Sequence, residues 1–463
     1  MFKPHVKAPF LILFLVESCL VFGSVFSANY ISLHSPGLVY ETIPEHIGIS
    51  AMLVMLITTM AMVATGLYVT RLREGIAGVL MRIGISMAMS SVLVALTFYL
   101  IPELTISRGI LALVYIQSFF IIGTLRALFF ELVDTTALKS RVLVYGAGSH
   151  AAFIETKLRR GADRRGFDIV GYVSIDDQET MVDFGKLVSV ESSFLDYSNS
   201  KMIDEIVVAP GALKSKIKID ELVECKLNGI RVIDLLTFFE REAGQIRIDI
   251  MDPTWLVTSD GFYQSRSRNI VKRLFDLVAS TSLLILSIPV QILIVLAIWL
   301  EDGVGTPIIY RQARIREEGR SFSAYKFRSM ISSAENDGKA IWASKVDSRV
   351  TRVGGFLRKY RLDELPQAIN IIKGDMSFVG PRPERPEFVE QLAEHIPYYR
   401  ERHIVKPGLT GWAQLNYPYG SSIDDAYQKQ LFDMYYVKNH SLFLDCLILL
   451  QTVEVVLFGK GAR

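Results

Sequence analysis

Two adjacent carboxylates, Asp363 and Glu364, belong to the part of the chain whose residue types are best suited to chemistry. On a helix, neighbouring side chains point about 100° apart, so these two do not face each other as an acid–base pair would. One of them can instead attack an electrophile while its neighbour helps to hold a metal ion. An acidic pair also stabilises helix N-termini, so this pair alone does not identify an active site.

Basic side chains and rigid turns accompany the two carboxylates. Gly380-Pro-Arg-Pro383 is a rigid turn that presents Arg382, and arginine suits bidentate binding of phosphate, although the same turn is compatible with a solvated surface arginine. Lys326 and Arg328 lie two positions apart and share a face if their segment is a strand. Such residues favour phosphoryl transfer, in which positioning and charge neutralisation dominate, and the two carboxylates are expected to bind Mg²⁺.

Three short motifs become specific when they are taken together: Asp363-Glu-Leu-Pro-Gln367, Gly380-Pro-Arg-Pro383 and Pro407-Gly-Leu-Thr-Gly-Trp412. They resemble the bacterial sugar transferases that prime polysaccharide assembly, the polyprenyl-phosphate hexose-1-phosphate transferases. The resemblance covers about Lys272 to Arg463, and the apolar front and α/β middle of the chain resemble the large members of that family.

The resemblance implies a two-step reaction on Asp363. This carboxylate would attack the β-phosphorus of a UDP-sugar, UMP would leave, and a polyprenyl (undecaprenyl) phosphate would then take the sugar phosphate. Glu364 would assist with a metal, Mg²⁺ or Mn²⁺, or with orientation. Substrate and phosphate binding is expected at six residues: Lys326, Arg328, Arg382, Glu384, Arg311 and Trp412. For Trp412, a place in the hydrophobic core remains an alternative to a platform for the base.

The same resemblance predicts the setting of the enzyme. It implies the first membrane step of exopolysaccharide or related glycan assembly, with downstream glycosyltransferases and export machinery as partners and possible homodimerisation. The sequence does not distinguish glucose, galactose and N-acetyl sugars, although analogy favours glucose or galactose. The net charge of +2 gives no basic field for nucleic acid. A membrane-anchored nucleotide-sugar dehydratase or epimerase, or a scaffold or sensor, are the alternatives.

The first 134 residues predict a membrane unit. Each of four apolar segments is near the ~20 residues that cross a bilayer, and these are Pro9–Ala28, Ile47–Val69, Ile76–Ile101 and Gly109–Leu125. The Lys and Arg positions place both ends of this unit in the cytoplasm of a bacterial inner membrane, with Arg126 extending to the membrane surface from the last helix. Few polar residues lie inside the helices, which favours an anchor over a transport path.

Residues 140–252 predict a Rossmann-like parallel α/β domain. Strands are expected at Arg141–Tyr145, Asp168–Val173, Asp204–Ala209 and Gly229–Ile233. A GxGxxA turn formed by Gly146, Gly148 and Ala151 follows the first strand, as in dinucleotide-binding domains. NAD(P) or another nucleotide would bind there, with Asp176 or Asp177 on the ribose, but a structural or sensing role is the alternative.

Residues 268–302 predict a re-entrant membrane helix, and residues 303–463 a mostly helical α+β catalytic domain. The apolar run Leu277–Leu300 contains Pro289, which interrupts helical hydrogen bonding. Basic residues flank the run on both sides, so the positive-inside rule puts both ends in the cytoplasm. Ser287 or Ser282 would bond the carbonyl that Pro289 frees. A plain fifth span is the alternative, and it would export the catalytic region.

Overall fold

A computed structural model describes most of the chain in two units, Met1–Leu235 and Leu236–Arg463. The described residues are 8–34, 46–68, 76–132, 139–158, 161–164, 166–175, 179–190, 193–209, 211, 217–262, 265–331, 349–418, 420 and 422–458.

The first unit begins with four long apolar helices, α1 (Ala8–His34), α2 (Ile47–Ala64), α3 (Ile76–Leu100) and α4 (Arg108–Leu132). Helix α1 packs against α2 and α4, and α3 packs against the same two helices, so the four form a bundle. Each is long and apolar enough to cross a membrane. The four predicted membrane helices are therefore confirmed by length, composition and position.

A buried ion pair lies inside this bundle and corrects the prediction for Arg126. The Arg126 side chain is 1% exposed and does not extend to the membrane surface. Its guanidinium donates to both carboxylate oxygens of Glu17 at 2.7 and 2.8 Å and to the Leu67 carbonyl at 2.8 Å, while the Tyr68 hydroxyl also donates to Glu17. A charge in an apolar interior needs such a partner, because desolvation of an unpaired ion is costly.

The predicted parallel sheet follows, with β1 (Ser140–Tyr145), β2 (Phe167–Val173), β3 (Glu205–Val208) and β4 (Arg231–Asp234). All neighbours are parallel, in the order β2-β1-β3-β4. The connecting segments contain α5 (Ser149–Lys157), α6 (Phe194–Ser200) and α7 (Ile219–Leu227). This four-stranded parallel α/β arrangement confirms the predicted fold class of the middle region.

The glycine turn after β1 has a structural explanation. Gly146 has φ +128°, and a Cβ there would lie 2.1 Å from the Ala209 carbonyl oxygen at the end of β3. Glycine is therefore required by the close approach of two strand ends. Gly148 precedes α5, and Ala151 is fully buried. These contacts favour the structural alternative for the motif, while the nucleotide stays a prediction; Asp176 and Asp177 lie outside the described residues.

The second unit contains short helices and strands around one long helix. Its first helices are α8 (Leu235–Ala243), α9 (Pro253–Thr258) and the 37-residue α10 (Arg266–Asp302). An antiparallel hairpin follows, formed by β5 (Ile309–Ile315) and β6 (Ser321–Phe327). Further helices and the parallel pair of strands β7 and β8 follow in the described part of the unit. In chain order they are α11 (Arg352–Lys359), α12 (Gln367–Lys373), β7 (Ser377–Val379), α13 (Pro386–His395), β8 (Gly408–Thr410), α14 (Trp412–Asn416), α15 (Ile423–Asn439) and α16 (Leu442–Phe458).

Short 3-10 turns connect several of these elements in both units. They are Pro102–Leu104, Gly161–Arg164, Phe184–Lys186, Glu317–Gly319, Leu362–Glu364 and Arg400–Ile404. The turn Leu362–Glu364 contains both candidate catalytic carboxylates.

Helix α10 continues through Pro289 and is apolar enough to enter a membrane. Of the residues in the most apolar stretch of α10, only 11% are buried inside the protein, whereas the corresponding share is 33–39% for α1 to α4. Among the described contacts, neither Ser287 nor Ser282 bonds the Ile285 carbonyl that Pro289 leaves without its helical donor. Ser287 instead donates to the Leu283 carbonyl at 2.6 Å and accepts from Gln291 at 2.8 Å, so the predicted partner was wrong.

Candidate active site

The two candidate carboxylates lie in a tight turn and not on a regular α-helix. Arg361, which precedes this turn, has the left-handed conformation with φ +54°. That conformation is costly for a residue with a side chain, and it occurs preferentially at functional sites. Arg361 lies between the end of α11 and the start of the 3-10 turn. Within this turn, Asp363 and Glu364 are both buried, each with 6% exposure.

Glu364 is held by two cations. Its Oε1 atom accepts from Lys326 Nζ at 3.1 Å and from Arg382 Nη2 at 2.7 Å. Burial alone would raise the pKa of Glu364, but Arg382, Lys326 and Arg361 outweigh burial and hold the pKa well below its usual value. Glu364 is therefore an anion that fixes the positions of two cationic side chains.

Asp363 has a different environment. No hydrogen bond from the described part of the chain reaches its carboxylate. Burial raises the pKa of Asp363; Lys326 lowers it and Glu364 raises it further. A buried carboxylate that is not engaged by hydrogen bonds is a stronger nucleophile than a solvated one, so the geometry suits attack by Asp363 on an electrophile.

Two site residues were missed by the sequence analysis, Arg361 and Gln414. The Gln414 Oε1 atom accepts from Arg361 Nη1 at 2.9 Å and from Arg382 Nη1 at 3.3 Å. This amide oxygen therefore connects the residue before the 3-10 turn to the Gly380–Pro383 turn. Arg361 lies just before the Asp363–Gln367 motif, and Gln414 lies just after the Pro407–Trp412 motif. Nothing in the sequence indicates that these two motifs come together.

The β5–β6 hairpin separates the predicted phosphate ligands. Lys326 lies opposite Tyr310, whereas Arg311 lies opposite Tyr325. Opposed residues share a face and successive residues alternate, so Arg311 lies on the other face of the hairpin from Lys326. The Arg311 guanidinium is 5.6 Å from the centroid of the Tyr325 ring. The structure thus brings Lys326, but not Arg311, to the carboxylates.

The other three predicted ligands lie around the site and not against the carboxylates. Arg328 forms an ion pair with Asp302 at 2.6 Å, at the C-terminal end of α10. Glu384 lies 3.6 Å from Arg314. Trp412 is buried, and its indole N–H donates to the Gly244 carbonyl at 2.9 Å, which favours the core alternative for this residue. Their roles in substrate binding stay predictions.

The two carboxylates fit Mg²⁺ as the resemblance implies. Within the described residues there is no group of three or more His, Cys, Asp or Glu side chains that could hold a metal by themselves. Mg²⁺ usually binds one or two carboxylates together with waters and substrate phosphates. Asp363 fits that role better than Glu364, whose Oε1 already accepts from two cations.

The second unit is similar to known proteins. The family model described as "Bacterial sugar transferase" matches residues 267–459, which include all of the residues above that contact the carboxylates. A UDP-N-acetylgalactosamine-undecaprenyl-phosphate N-acetylgalactosaminephosphotransferase of Aeromonas hydrophila is 40% identical over 242 residues, 52% of this chain and 56% of that protein.

Two further relatives align over most of this chain. An undecaprenyl-phosphate glucose phosphotransferase of Komagataeibacter xylinus is 32% identical over 335 residues, 71% of this chain and 61% of that protein. A UDP-galactose-lipid carrier transferase of Erwinia amylovora is 30% identical over 390 residues, 77% of this chain and 76% of that protein. The chain thus spans between about half and three quarters of the lengths of these relatives.

Proposed function

Since this chain belongs to the bacterial sugar transferase family, we propose that it transfers a hexose 1-phosphate from a UDP-sugar to undecaprenyl phosphate and releases UMP. The observation that carries this proposal is the buried Asp363 carboxylate, which lies next to Glu364. Glu364 is itself held by Lys326 and Arg382. The reaction is the first membrane step in assembling a polysaccharide.

The first chemical step takes place at Asp363. An oxygen of its carboxylate forms a bond to the β-phosphorus of the UDP-sugar, and the bond from that phosphorus to the bridging oxygen breaks. UMP leaves with the bridging oxygen, and the sugar phosphate remains on Asp363 as an acyl phosphate. Lys326 and Arg382, which lie 3.1 and 2.7 Å from Glu364, are placed to neutralise phosphate oxygens.

The second step regenerates the carboxylate. A phosphate oxygen of the lipid bonds to the same phosphorus, the bond to Asp363 breaks, and the sugar-diphospho-lipid leaves. Two anionic substrates thus never react with each other directly, because each meets the enzyme in turn. When it is bound at Asp363 and Glu364, Mg²⁺ or Mn²⁺ supplies further neutralisation of phosphate charge.

The contacts of α10 support a re-entrant helix. Near its start, Lys272 pairs with Asp445 at 2.6 Å; at its end, Asp302 pairs with Arg328 at 2.6 Å. Asp445 and Arg328, the two partners, belong to one folded unit. A straight helix of 37 residues would be about 55 Å long, well beyond the ~30 Å thickness of a bilayer core. A helix that crossed the membrane would place its ends on opposite sides, so shared contacts at both ends favour entry and exit on one face.

The active site then lies at the cytoplasmic face of the inner membrane, where UDP-sugars are found. Basic residues flank the apolar run Leu277–Leu300 of α10 on both sides, as the positive-inside rule requires for cytoplasmic ends. Homodimerisation and interactions with downstream glycosyltransferases and export proteins remain part of this proposal. The sugar is tested among those in the names of the relatives, which include N-acetylgalactosamine, glucose and galactose.

The test is a reconstituted transfer assay. Purified full-length protein with Mg²⁺, undecaprenyl phosphate and each UDP-sugar in turn should release UMP and form a sugar-diphospho-lipid with one preferred donor. Without lipid, the UMP released should not exceed one equivalent of enzyme, and the sugar phosphate should be found on the Asp363 peptide. Asp363→Asn should abolish both signals. Near-normal turnover by Asp363→Asn would exclude this carboxylate as the nucleophile.

A further inference from the structure

The turn that presents Arg382, here called the Arg382 turn (residues 379–383), is held by cationic side chains from other parts of the second unit. Three cationic side chains donate to its main-chain carbonyls, and each of them also contacts an acid. Lys272 contacts the Val379 carbonyl (3.1 Å) and Asp445 (2.6 Å), Arg402 contacts the Arg382 carbonyl (3.0 Å) and Asp433 (2.7 Å), and Arg314 contacts the Pro383 carbonyl (3.0 Å) and Glu384 (3.6 Å).

The composition of this turn explains why it needs external donors. Pro381 and Pro383 have no N–H group, so the segment has few donors with which to close itself. The Pro381 carbonyl also accepts from outside, from the Gly408 N–H at 2.9 Å. The direction in which the Arg382 side chain points therefore depends on side chains and strands that lie elsewhere in the sequence.

One of these donors, Lys272, differs from the others because it belongs to the membrane helix. Besides Asp445 and the Val379 carbonyl, its ammonium donates to the Tyr436 hydroxyl at 3.2 Å. One turn later on the same face of α10, Asp276 accepts from Ser377 Oγ at 3.0 Å. Asp276 also accepts from the Phe378 N–H at 2.9 Å.

Helix α10 is thus hydrogen-bonded to β7, the strand that leads directly into the Arg382 turn. Strand β7 is only three residues long, so little separates these contacts from Arg382. A displacement of α10 would be transmitted through Lys272 and Asp276 to the strand and from there to the turn. A misplacement of about 1 Å is enough to reduce a rate by roughly 100-fold when a charged group must meet a reacting phosphate.

We propose that Lys272, assisted by Asp276, is a positioning residue. Through these contacts, the position of the Arg382 side chain beside Glu364 depends on the position of α10 in the membrane. The inference rests on the proposed transfer reaction, in which Arg382 neutralises phosphate charge. Lys272 itself contacts neither carboxylate of the site among its described hydrogen bonds. Its effect on the reaction therefore passes through the Arg382 turn.

The chain offers a matched control in Lys438. Lys438 forms an ion pair with Glu240 at 2.7 Å, and its side chain is 12% exposed. The Lys272 side chain is similar, because it lies 2.6 Å from Asp445 and is 15% exposed. Both pairs lie in the second unit, but Lys438 has no described contact with the Arg382 turn. Loss of either lysine removes one partly buried ion pair, and only loss of Lys272 removes a donor to the turn.

The experiment is a double-mutant cycle in the full-length protein, reconstituted in bilayer nanodiscs. Lys272→Met should lower kcat/KM by about 10- to 100-fold in the wild-type background and by less than about 3-fold in an Arg382→Lys background. Lys272→Arg should recover part of the loss, because it keeps a cation near Asp445 and the Val379 carbonyl. Lys438→Met should lower kcat/KM only slightly, and by the same factor in both backgrounds.

Hydrogen exchange of residues 377–380 gives a readout that does not require activity. Lys272→Met should accelerate exchange in this segment, and Lys438→Met should not. Equal losses for Lys272→Met in both backgrounds, or unchanged exchange in the segment, would overturn the proposed coupling. Wild-type protein that transfers no sugar phosphate would overturn the proposed function instead, and the exchange result alone would then decide whether Lys272 positions the turn.

Discussion

Asp363 and Glu364 are adjacent and equally buried, yet their surroundings shift the pKa values of the two carboxyl groups in opposite directions. Burial opposes ionisation of both carboxylates. Two cations contact Glu364 directly, and the pKa of Glu364 is held well below its usual value, whereas burial dominates at Asp363 and raises its pKa. The proposed division of roles between a fixed anion and a nucleophile thus rests on the neighbours of each group and not on its residue type.

This difference predicts the effect of Lys326 on the pH profile. The attacking form of Asp363 is the carboxylate, so kcat/KM should fall as the pH drops through the Asp363 pKa. Burial raises that pKa and Lys326 lowers it. Lys326→Met removes the lowering influence, so the acidic limb of the kcat/KM profile should move to higher pH. Lys359→Met, which removes an exposed lysine from α11, should leave that limb in place; a limb that does not move in Lys326→Met would contradict the assignment.

Gln414 carries the second prediction at the scale of single residues. Its Oε1 atom accepts from two arginines, so Gln414→Leu leaves two partly buried guanidinium donors without this acceptor. An unsatisfied buried polar group costs about 1–3 kcal/mol, which corresponds to roughly 5- to 150-fold in kcat/KM if the arginines shift to find new partners. Gln414→Glu keeps an acceptor oxygen and should retain more activity than Gln414→Leu. The reverse order, measured by UMP release, would exclude this role.

At the scale of helices and strands, local patterns predicted most of the elements. The four apolar helices, the four parallel strands and the turn at Gly146 follow from hydrophobic length, alternation and glycine spacing, which are properties of short segments. Contacts between distant segments were not predictable in this way. Glu17 and Arg126 are 109 residues apart, and nothing in either segment indicates that they pair.

The same limit applies to the predicted ligands of the candidate site. Lys326 lies in β6, but this strand ends at Phe327, one residue before Arg328. Arg311 belongs to the neighbouring strand, and its face depends on the register Tyr310–Lys326. A shift of one residue would reverse that face. Trp412 was placed among the candidate ligands because of its motif, whereas the Gly244 carbonyl that accepts its N–H lies 168 residues earlier.

Helix α10 carries a prediction about topology. Ser267, in the first turn of α10, and Val304, just after its end, are exposed positions at which cysteines can be introduced. If α10 is re-entrant, both should react with an impermeant thiol reagent only when the cytoplasmic side of the membrane is accessible. The three native cysteines, Cys19, Cys225 and Cys446, are replaced beforehand. Reaction of the two positions from opposite sides would establish a plain span.

At the scale of the whole molecule, the residues of the candidate site all lie in the second unit, between Lys326 and Gln414. The first unit contains the membrane bundle and the parallel sheet. The chemistry therefore needs the fold of the second unit, and we expect the first unit to act as an anchor and regulator.

This division predicts where the chain can be shortened. The segment that precedes α10 belongs to the core of the second unit: Leu236, Ile246, Ile248 and Met251 are buried and pack in a cluster with residues of α13 and α15. Gly244 in the same segment accepts the Trp412 indole N–H. A fragment that starts at Leu236 keeps these contacts, whereas one that starts at Gly261 loses them.

The two fragments should therefore differ sharply in stability. Burial of a large apolar side chain contributes about 1.5–3 kcal/mol, so loss of four such side chains removes on the order of 6–12 kcal/mol, comparable to the whole stability of a typical domain. Residues 236–463, purified in detergent, should unfold cooperatively and release UMP, while residues 261–463 should aggregate or unfold at a much lower temperature. Equal stability of the two fragments would show that residues 236–260 are not part of this core. An inactive but folded 236–463 fragment would show that the first unit is required for transfer and is more than an anchor.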